Sequence, residues 1–573
     1  MNYELSKYQQ DIIKAFRETE DNLFISARAG TGKTFLLLEL VKYIDTYSVF
    51  LAFNKSIQQE ISSKITNPKF KTYTFNGIGY QILLKNMEEK YPKVKITLDN
   101  FKTQKIVKPL IDKFIKRKLS WDEKSDYIEE IGTLWELCKC TLTNIEDEDA
   151  VFSLIEKHWL FEHFSEPDNI CEILQEIKKE NLRMLFEEGI INFSDQLYIT
   201  VNEIKDKNWT VPPYLLFYNI LVDEAQDTNR CQQVLIFFLK RKGARCIFVG
   251  DKFQAIYEFS GADAHAYETI KTMHKCEEFL LPINYRCGRT HLNLVNNRWK
   301  EIGIEAAPDA IEGNIKRIQV DALFKMVKEG DFILSRKNSD LIDIALRLLK
   351  ESKSIYIKDK EIVNKTIKFV KRHSKKSETI NDLKSQIEFE QRKNKKQKDK
   401  LEEQLRKGEI AQEEFDAHNF NAGYLDILEC VVFLIDNYIA EKNHKKTIDD
   451  FLNYIPKKLN TENKNGCVVC TSIHQAKGLE ADNVFVLNEG REFFEFARTA
   501  EQRQQEKNLS YVALTRAKKN LYLVRGSLNN DNNYNEDSSD DDWDDDICLV
   551  SQEELKDADL FTDISGLSNG WIM

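Results

Sequence analysis

Ala27-Arg28-Ala29-Gly30-Thr31-Gly32-Lys33-Thr34 follows an apolar run that starts at Asn22 and opens a helix-like run, Phe35 to Val41. A strand, a glycine-rich turn and a helix in that order form a cradle for phosphate. Backbone N–H groups from Ala29 to Gly32 can wrap the anion, and the helix N-terminus adds partial positive charge. Lys33 is placed to reach the β and γ phosphates of a nucleotide, and Thr34 to ligate Mg²⁺. Ala27 stands where the simplest pattern has glycine. A bare glycine turn between strand and helix is the plain alternative.

That alternative weakens at Tyr218-Asn219-Ile220-Leu221-Val222-Asp223-Glu224-Ala225-Gln226-Asp227. A buried-strand pattern there delivers two carboxylates at its tip. Asp223 is placed to hold Mg²⁺, and Glu224 to orient and deprotonate an attacking water. Paired with Lys33 and Thr34, these acids imply ATP and Mg²⁺ as the nucleotide and metal.

The chain has 573 residues, 42% hydrophobic and 31% charged, which suits a soluble globular protein of roughly three to five domains. No run approaches the roughly twenty apolar residues of a membrane span. The first residues lack a signal-peptide core, so action inside the cell is expected, in cytoplasm or nucleoid or in a nucleus, with no secretion. Cys138/Cys140 and Cys467/Cys470 lack matching second pairs and read as buried thiols; no metal cluster is expected. Of the net charge of −11, residues from Asn529 on supply 14 acids and one lysine, leaving a body of 80 acids and 82 bases. Overall charge therefore neither supports nor excludes a nucleic-acid partner.

Residues 1–85 alternate short strands with amphipathic helices, 86–190 become helical, and strands return over 191–283. A second α/β block occupies 284–354 and 456–528, with Asp331–Ser335 as a strand, interrupted by 355–455. Two α/β units, each carrying a mainly helical insertion, is the simplest organisation. Within the second insertion, Asn364–Gly408 is densely charged, and its sparse apolar residues (Ile380, Leu383, Ile387, Leu401, Leu405) suit a long exposed helical arm. The tail, 529–573, is too acidic and too poor in apolar residues to fold alone.

The order of short motifs resembles the UvrD/Rep/PcrA group of superfamily 1 DNA helicases over roughly residues 5–525. Leu5-Ser6-Lys7-Tyr8-Gln9 is similar to the Q motif, whose glutamine reads the adenine edge. Phe53-Asn54-Lys55 and Thr74-Phe75-Asn76-Gly77 look like the two single-strand-contacting motifs, and Asn192–Leu197 like a short acidic motif. Gly250–Ala262 is similar to the third motif, which implies that Gln254 senses the γ-phosphate while Tyr257 and Phe259 face bases. Asn284-Tyr285-Arg286 matches a motif with an adenine-stacking tyrosine and a phosphate-binding arginine. Thr471–Glu480 implies DNA contacts by Thr471 and His474 and a ribose contact by Glu480; Tyr511–Ala517 implies that Arg516 is an arginine finger.

The resemblance implies two RecA-like motor domains closing on ATP, with single-stranded and forked DNA as partner and 3′-to-5′ movement. The chain departs from the family's pattern at Glu258 and Ser260, where arginines usually flank the aromatic, so weaker coupling of DNA binding to hydrolysis is expected. The wording around Phe53 is nearest the F-box helicase and viral branch, without an F-box-like segment ahead of Gln9. Two other functions compete: a translocase that strips protein from single strands, and a non-enzymatic adaptor. The intact set Lys33, Thr34, Asp223, Glu224, Gln254, Arg286 and Arg516 disfavours the adaptor. The tail is expected to mimic DNA, to dock a protein partner, or only to solvate.

Overall fold

The computed structural model describes residues 4–526 except 162–166, 168, 258–260, 264, 338–339, 342–343, 346, 349–350, 352, 359, 375–378, 407–421, 442–446, 460–465 and 489–499. The acidic tail and Phe259 lie outside the described residues. The chain divides into two compact units, Met1–Asn284 and Tyr285–Met573. The division follows Asn284 rather than preceding it, because the Asn284 carboxamide donates to the Ala29 carbonyl at 2.6 Å and ties that residue to the first unit.

The first unit is built on β1 (Leu23–Ala27), β2 (Ser48–Ala52), β3 (Phe70–Thr74), β4 (Phe217–Val222), β5 (Lys240–Gly250) and β6 (Glu277–Leu281). They form one parallel sheet in the order β3-β2-β4-β5-β1-β6. Every residue of β1 and β2 is buried, as expected of strands covered on both faces. The helices are α1 (Lys7–Glu18), α2 (Lys33–Val41), α3 (Lys55–Lys64), α4 (Phe75–Lys90), α5 (Lys102–Phe114), α6 (Trp121–Thr141), α7 (Glu148–His158), α8 (Ile170–Glu188), α9 (Asp195–Lys205), α10 (Arg230–Phe238) and α11 (Ala266–His274). Helix α4 runs five residues past the boundary expected at 85, since its apolar stripe continues through Met87. Helices α5–α8 surround their own core, which includes Ile131, Leu134, Trp135, Ile173 and Ile177. A two-residue parallel ladder, Thr97-Leu98 with Ile190-Ile191, closes the ends of that helical segment.

The second unit carries β7 (Asn314–Gln319), β8 (Phe332–Ser335), β9 (Ile355–Ile357), β10 (Val468–Ser472), β11 (Ala481–Leu487) and β12 (Ala517–Arg525), in the order β7-β12-β11-β8-β10-β9 and all parallel. Its helices are α12 (Arg289–Arg298), α13 (Val320–Met326), α14 (Lys360–Ser374), α15 (Ile380–Arg406), α16 (Ala422–Ala440), α17 (Ile448–Leu459), α18 (Ile473–Ala476) and α19 (Ala500–Leu514). The first half of α15 is not the exposed arm expected from composition. Ile380, Leu383 and Ile387 are buried in a core shared with Leu434 and Tyr438 of α16, because three residues at helical spacing suffice to make one buried stripe.

In both units the strands are parallel, so their carboxyl ends lie on one edge of each sheet. In open α/β sheets that edge is where ligands bind. Most of the motif residues lie there: the loop after β1, Phe53 after β2, Thr74 ending β3, Asp223 after β4, Asp251 after β5 and Thr471 near the end of β10.

Candidate nucleotide and nucleic-acid site

The loop from Ala27 to Thr34 has the shape its glycines permit. Gly30 (φ 66°) and Gly32 (φ 77°) occupy the left-handed region, which would strain any other residue. No side chain caps α2 at Gly32, which leaves its first N–H groups for an anion. Thr31 is buried and its hydroxyl donates to the Arg28 carbonyl at 2.9 Å, tightening the turn. Gln9 sits in the capping box of α1, its Oε1 accepting from the Ser6 N–H at 2.9 Å. Its Nε2 lies 3.9 Å from where a Cβ on Gly32 would stand, so the expected adenine reader is adjacent to the loop.

Lys33 Nζ donates to Glu224 Oε1 at 3.0 Å, joining the two motifs that the sequence holds nearly two hundred residues apart. Glu224 has φ 50°, a conformation that costs a non-glycine residue roughly 1–3 kcal/mol and is characteristic of functional sites. Asp223 is buried, and its Oδ1 accepts from the Glu224 N–H at 2.9 Å. Thr34 and Asp223 offer a hydroxyl and a carboxylate, hard oxygen donors of the kind Mg²⁺ takes.

Gln226, which carried no role in the sequence reading, is the hub of this region. Its Nε2 donates to Glu224 Oε2 at 2.6 Å and lies 3.3 Å from Asp227 Oδ2, while its Oε1 accepts from the Asp251 N–H at 2.9 Å. Gly250 is required beside it, since a Cβ there would stand 2.6 Å from Gln226 Oε1. Gln254 is buried, with Nε2 donating to Asp251 Oδ2 at 2.7 Å. The signal that could have exposed Gln226 is its place between two acids, where a neutral amide can donate to both.

The residues expected to face DNA separate into two groups. Phe53 and Tyr257 stack with ring centroids 5.5 Å apart and planes 23° apart. Burial raises the Tyr257 phenol pKa, with Asp227 and Glu224 adding to the effect, so this aromatic pair adjoins the acidic motif. Asn54 caps α3 by accepting from the Ile57 N–H at 2.9 Å, and Lys55 is exposed beside it. Thr74 caps α4 through Gly77 N–H at 3.0 Å. Phe75, by contrast, is 1% exposed within the core under the sheet, and Thr471 is fully buried in β10. Neither presents the exposed surface expected of it: Phe75 packs with Ile78 and Ile82 in the core, and Thr471 lies within a strand whose residues are all buried.

Phe193 was quoted only as part of a motif, yet it is 60% exposed. Its carbonyl accepts from Asn76 Nδ2 at 3.0 Å, which puts it beside the second single-strand motif. Its neighbours are locked. Lys102 Nζ donates to Asp195 Oδ2 at 2.8 Å and Lys139 Nζ reaches Asp195 Oδ1 at 3.3 Å, with all three side chains fully buried. Lys139 also bonds Ser194 Oγ and Glu136 Oε1, and Asn192 Nδ2 bonds Glu136 Oε1 at 3.0 Å. Although burial alone pushes the Asp195 carboxyl up, Lys139 and Lys102 hold it below the usual carboxylate range, while burial lowers the pKa of Lys102.

In the second unit Tyr285 is half exposed. Arg286 Nε donates to Glu480 Oε2 at 2.5 Å, and Lys518 Nζ lies 2.7 Å from Glu480 Oε1, so the expected phosphate and ribose residues are joined in one ion pair. Arg516 is 1% exposed, donating from Nε to the Val512 carbonyl at 2.8 Å and from Nη2 to Thr515 Oγ1 at 2.9 Å. His474 is half-buried, and its pKa is pushed down to about 3, first by burial and then by Arg336 and Lys477, which keeps it neutral.

Comparison with known proteins agrees with this arrangement. Residues 5–275 match the UvrD/REP helicase N-terminal domain, and residues 467–524 match the UvrD-like helicase C-terminal domain. Similar proteins include F-box DNA helicase protein 1 of Schizosaccharomyces pombe, 25% identical over 91% of this chain and 57% of that protein. A probable DNA helicase II homolog of Mycoplasma genitalium is 23% identical over 87% of this chain and 81% of its own length. ATP-dependent DNA helicase PcrA of Staphylococcus aureus is 24% identical over 52% of this chain and 40% of that protein. The chain thus spans little more than half of the F-box relative. With both terminal domains matched, the chain belongs to the UvrD/Rep family of ATP-dependent DNA helicases.

Proposed function

We propose that this chain is an ATP-driven translocase and helicase on single-stranded DNA, moving 3′ to 5′ and opening forked duplexes inside the cell. The observation that carries the reading is the unbroken polar chain from Lys33 through Glu224, Gln226 and Asp251 to Gln254, with the Phe53–Tyr257 stack beside its acids. Base stacking on such aromatics is worth about 1–3 kcal/mol per base and tolerates any sequence. A shift of the stack on DNA binding would change the electrostatic surroundings it shares with Asp227 and Glu224.

In this reading Lys33 and the loop N–H groups hold the triphosphate, and Glu224 takes a proton from the attacking water. Mg²⁺ held by Thr34 and Asp223 would neutralise charge on the phosphate oxygens. Arg286 and Arg516 of the second unit add positive charge as the transition state develops, an effect worth about 10³–10⁵ in rate for arginine fingers. Arg516 must leave its bonds to Val512 and Thr515 to do so, which makes hydrolysis dependent on a rearrangement in the second unit. The tail from Asn529 is proposed to dock a protein partner or to compete with DNA.

Unwinding of 3′-tailed against 5′-tailed duplexes tests the polarity. Lys33→Ala and Arg516→Ala are each expected to lower DNA-stimulated ATPase by more than about a hundredfold while single-strand binding changes little. Normal hydrolysis by Arg516→Ala would remove the two-unit mechanism. Displacement of bound protein from single strands without unwinding of either duplex would favour the stripping translocase.

A further inference from the structure

Arg28 is an unusual occupant of a phosphate loop. Its neighbours Ala27 and Ala29 are small, whereas its long cationic side chain is only 8% exposed. A buried guanidinium is costly unless its N–H groups and its charge find partners. The Arg28 backbone N–H donates to the Leu281 carbonyl at 3.0 Å, and its carbonyl accepts from Thr31 Oγ1 at 2.9 Å, so both ends of its peptide are fixed. Nη1 donates to Ser26 Oγ at 3.2 Å. The guanidinium lies over the Phe253 ring, 4.9 Å from its centroid. Burial raises the pKa of the fully buried Asp251 carboxyl, and the charges of Lys33 and Arg28 oppose that rise.

Phe253 and Asp251 belong to the short turn that carries Gln254. Asp251 accepts from the Phe253 N–H at 3.2 Å and from Gln254 Nε2 at 2.7 Å. Arg28 therefore touches that turn in two ways, one by stacking and one by charge, from a loop whose other residues serve phosphate. A planar, permanently charged fork does both at once; lysine keeps the charge with a poorer ring contact, and an apolar residue loses the charge.

We propose that Arg28 is a positioning residue for hydrolysis: it fixes the Asp251–Gln254 turn against the phosphate loop, so that Gln254 is set for the terminal phosphate of a bound nucleoside triphosphate. The inference rests on the ATPase reading above. Its effect falls on turnover rather than on ground-state nucleotide binding, because the triphosphate itself is held by Lys33 and the loop N–H groups.

The test uses the full chain, with steady-state ATPase in the presence of oligo-dT. Arg28→Met fills nearly the same volume without charge and is expected to lower kcat by about tenfold or more while KM for ATP stays within about threefold. Arg28→Lys is expected to recover part of the lost kcat, which a residue that only fills space would not show. Phe253→Leu leaves Arg28 in place and should lower kcat by a few-fold; the double variant should lose less than the product of the two single losses. If Arg28→Met fails to fold, the Phe253→Leu result decides. Wild-type kcat in Arg28→Met or in Phe253→Leu overturns the proposal, as does a KM that rises in step with the loss or an Arg28→Lys no better than Arg28→Met. A wild-type chain without ATPase would overturn the functional reading itself, so the two failures are distinct.

Discussion

The helical segments of the two units are held to their sheets by different physics. In the first unit α5–α8 keep a core of their own, separate from the two cores that flank the sheet. A small apolar cluster, Leu83, Met87, Leu185, Ile191, Ile199 and Trp209, joins α4, α8 and α9. Beyond it, Trp135 of α6 meets the Tyr198 ring of α9 edge-on, with centroids 5.6 Å apart, and Lys102 of α5 and Lys139 of α6 converge on Asp195 at the start of α9. In the second unit one apolar core runs from α14–α17 through Ile355 and Ile357 of β9 to Val468, Cys470 and Phe485 of the sheet. The contrast teaches that a buried charge network fixes geometry, because it is satisfied in one arrangement only. An apolar core fixes cohesion. The first segment frames Phe193 beside Asn76, where geometry matters; the second shares its interior with the sheet and should unfold with it.

Breaking the network should give the largest effect. Lys139→Ala leaves the fully buried Asp195 with one cation, Lys102, in place of two, and removal of one partner of a buried pair costs about 3–5 kcal/mol. Urea unfolding of the first unit would read that loss; a change under about 1 kcal/mol would show that the network is no stronger than a surface pair. Leu434→Ala in α16 is the matching cut in the apolar core, with an expected cost of about 2–5 kcal/mol. Hydrogen exchange should then rise together in α14–α17 and in β8–β10. Faster exchange confined to the helices would break the claim of a single core.

Sequence spacing made the nucleotide loop, the acidic strand end and both parallel sheets legible, since each is a local pattern of a few residues. What stayed hidden depends on long-range neighbours. Lys102 and Lys139 drew no notice, because nothing local marks a lysine that meets an aspartate far along the chain. Arg28 carried no role for the same reason: its contact with Phe253 is more than two hundred residues away in sequence. Phe75 stands in a motif that suggests DNA, but one helical turn decides which way its ring points. Ile380, Leu383 and Ile387 were diluted by charge, yet a single stripe of three was enough for a core.

A finer test of charge against apolar burial lies at His274, in the last turn of α11. Its ring stacks on Phe237, with centroids 4.4 Å apart, and meets the Phe248 ring at a 52° tilt, 4.9 Å away. It is 4% exposed, and neither ring nitrogen has a hydrogen-bond partner among the described residues, unlike the satisfied lysines a few helices away. Burial, with Lys240 nearby, pushes its pKa from 6.5 down to about 3. The folded protein therefore holds His274 neutral while the unfolded chain protonates it below 6.5. The stability that neutral burial permits is full above that pH and falls as pH drops toward 3, with a slope approaching about 1.4 kcal/mol per pH unit. His274→Phe removes that dependence and keeps the stack. Between pH 6.5 and 5 the variant should gain about 2 kcal/mol relative to wild type in urea unfolding of the first unit. Parallel stability curves across that interval would mean that the His274 imidazolium finds a hydrogen-bond acceptor in the fold, and that the first unit tolerates an ionised histidine in its apolar core as it tolerates its paired lysines.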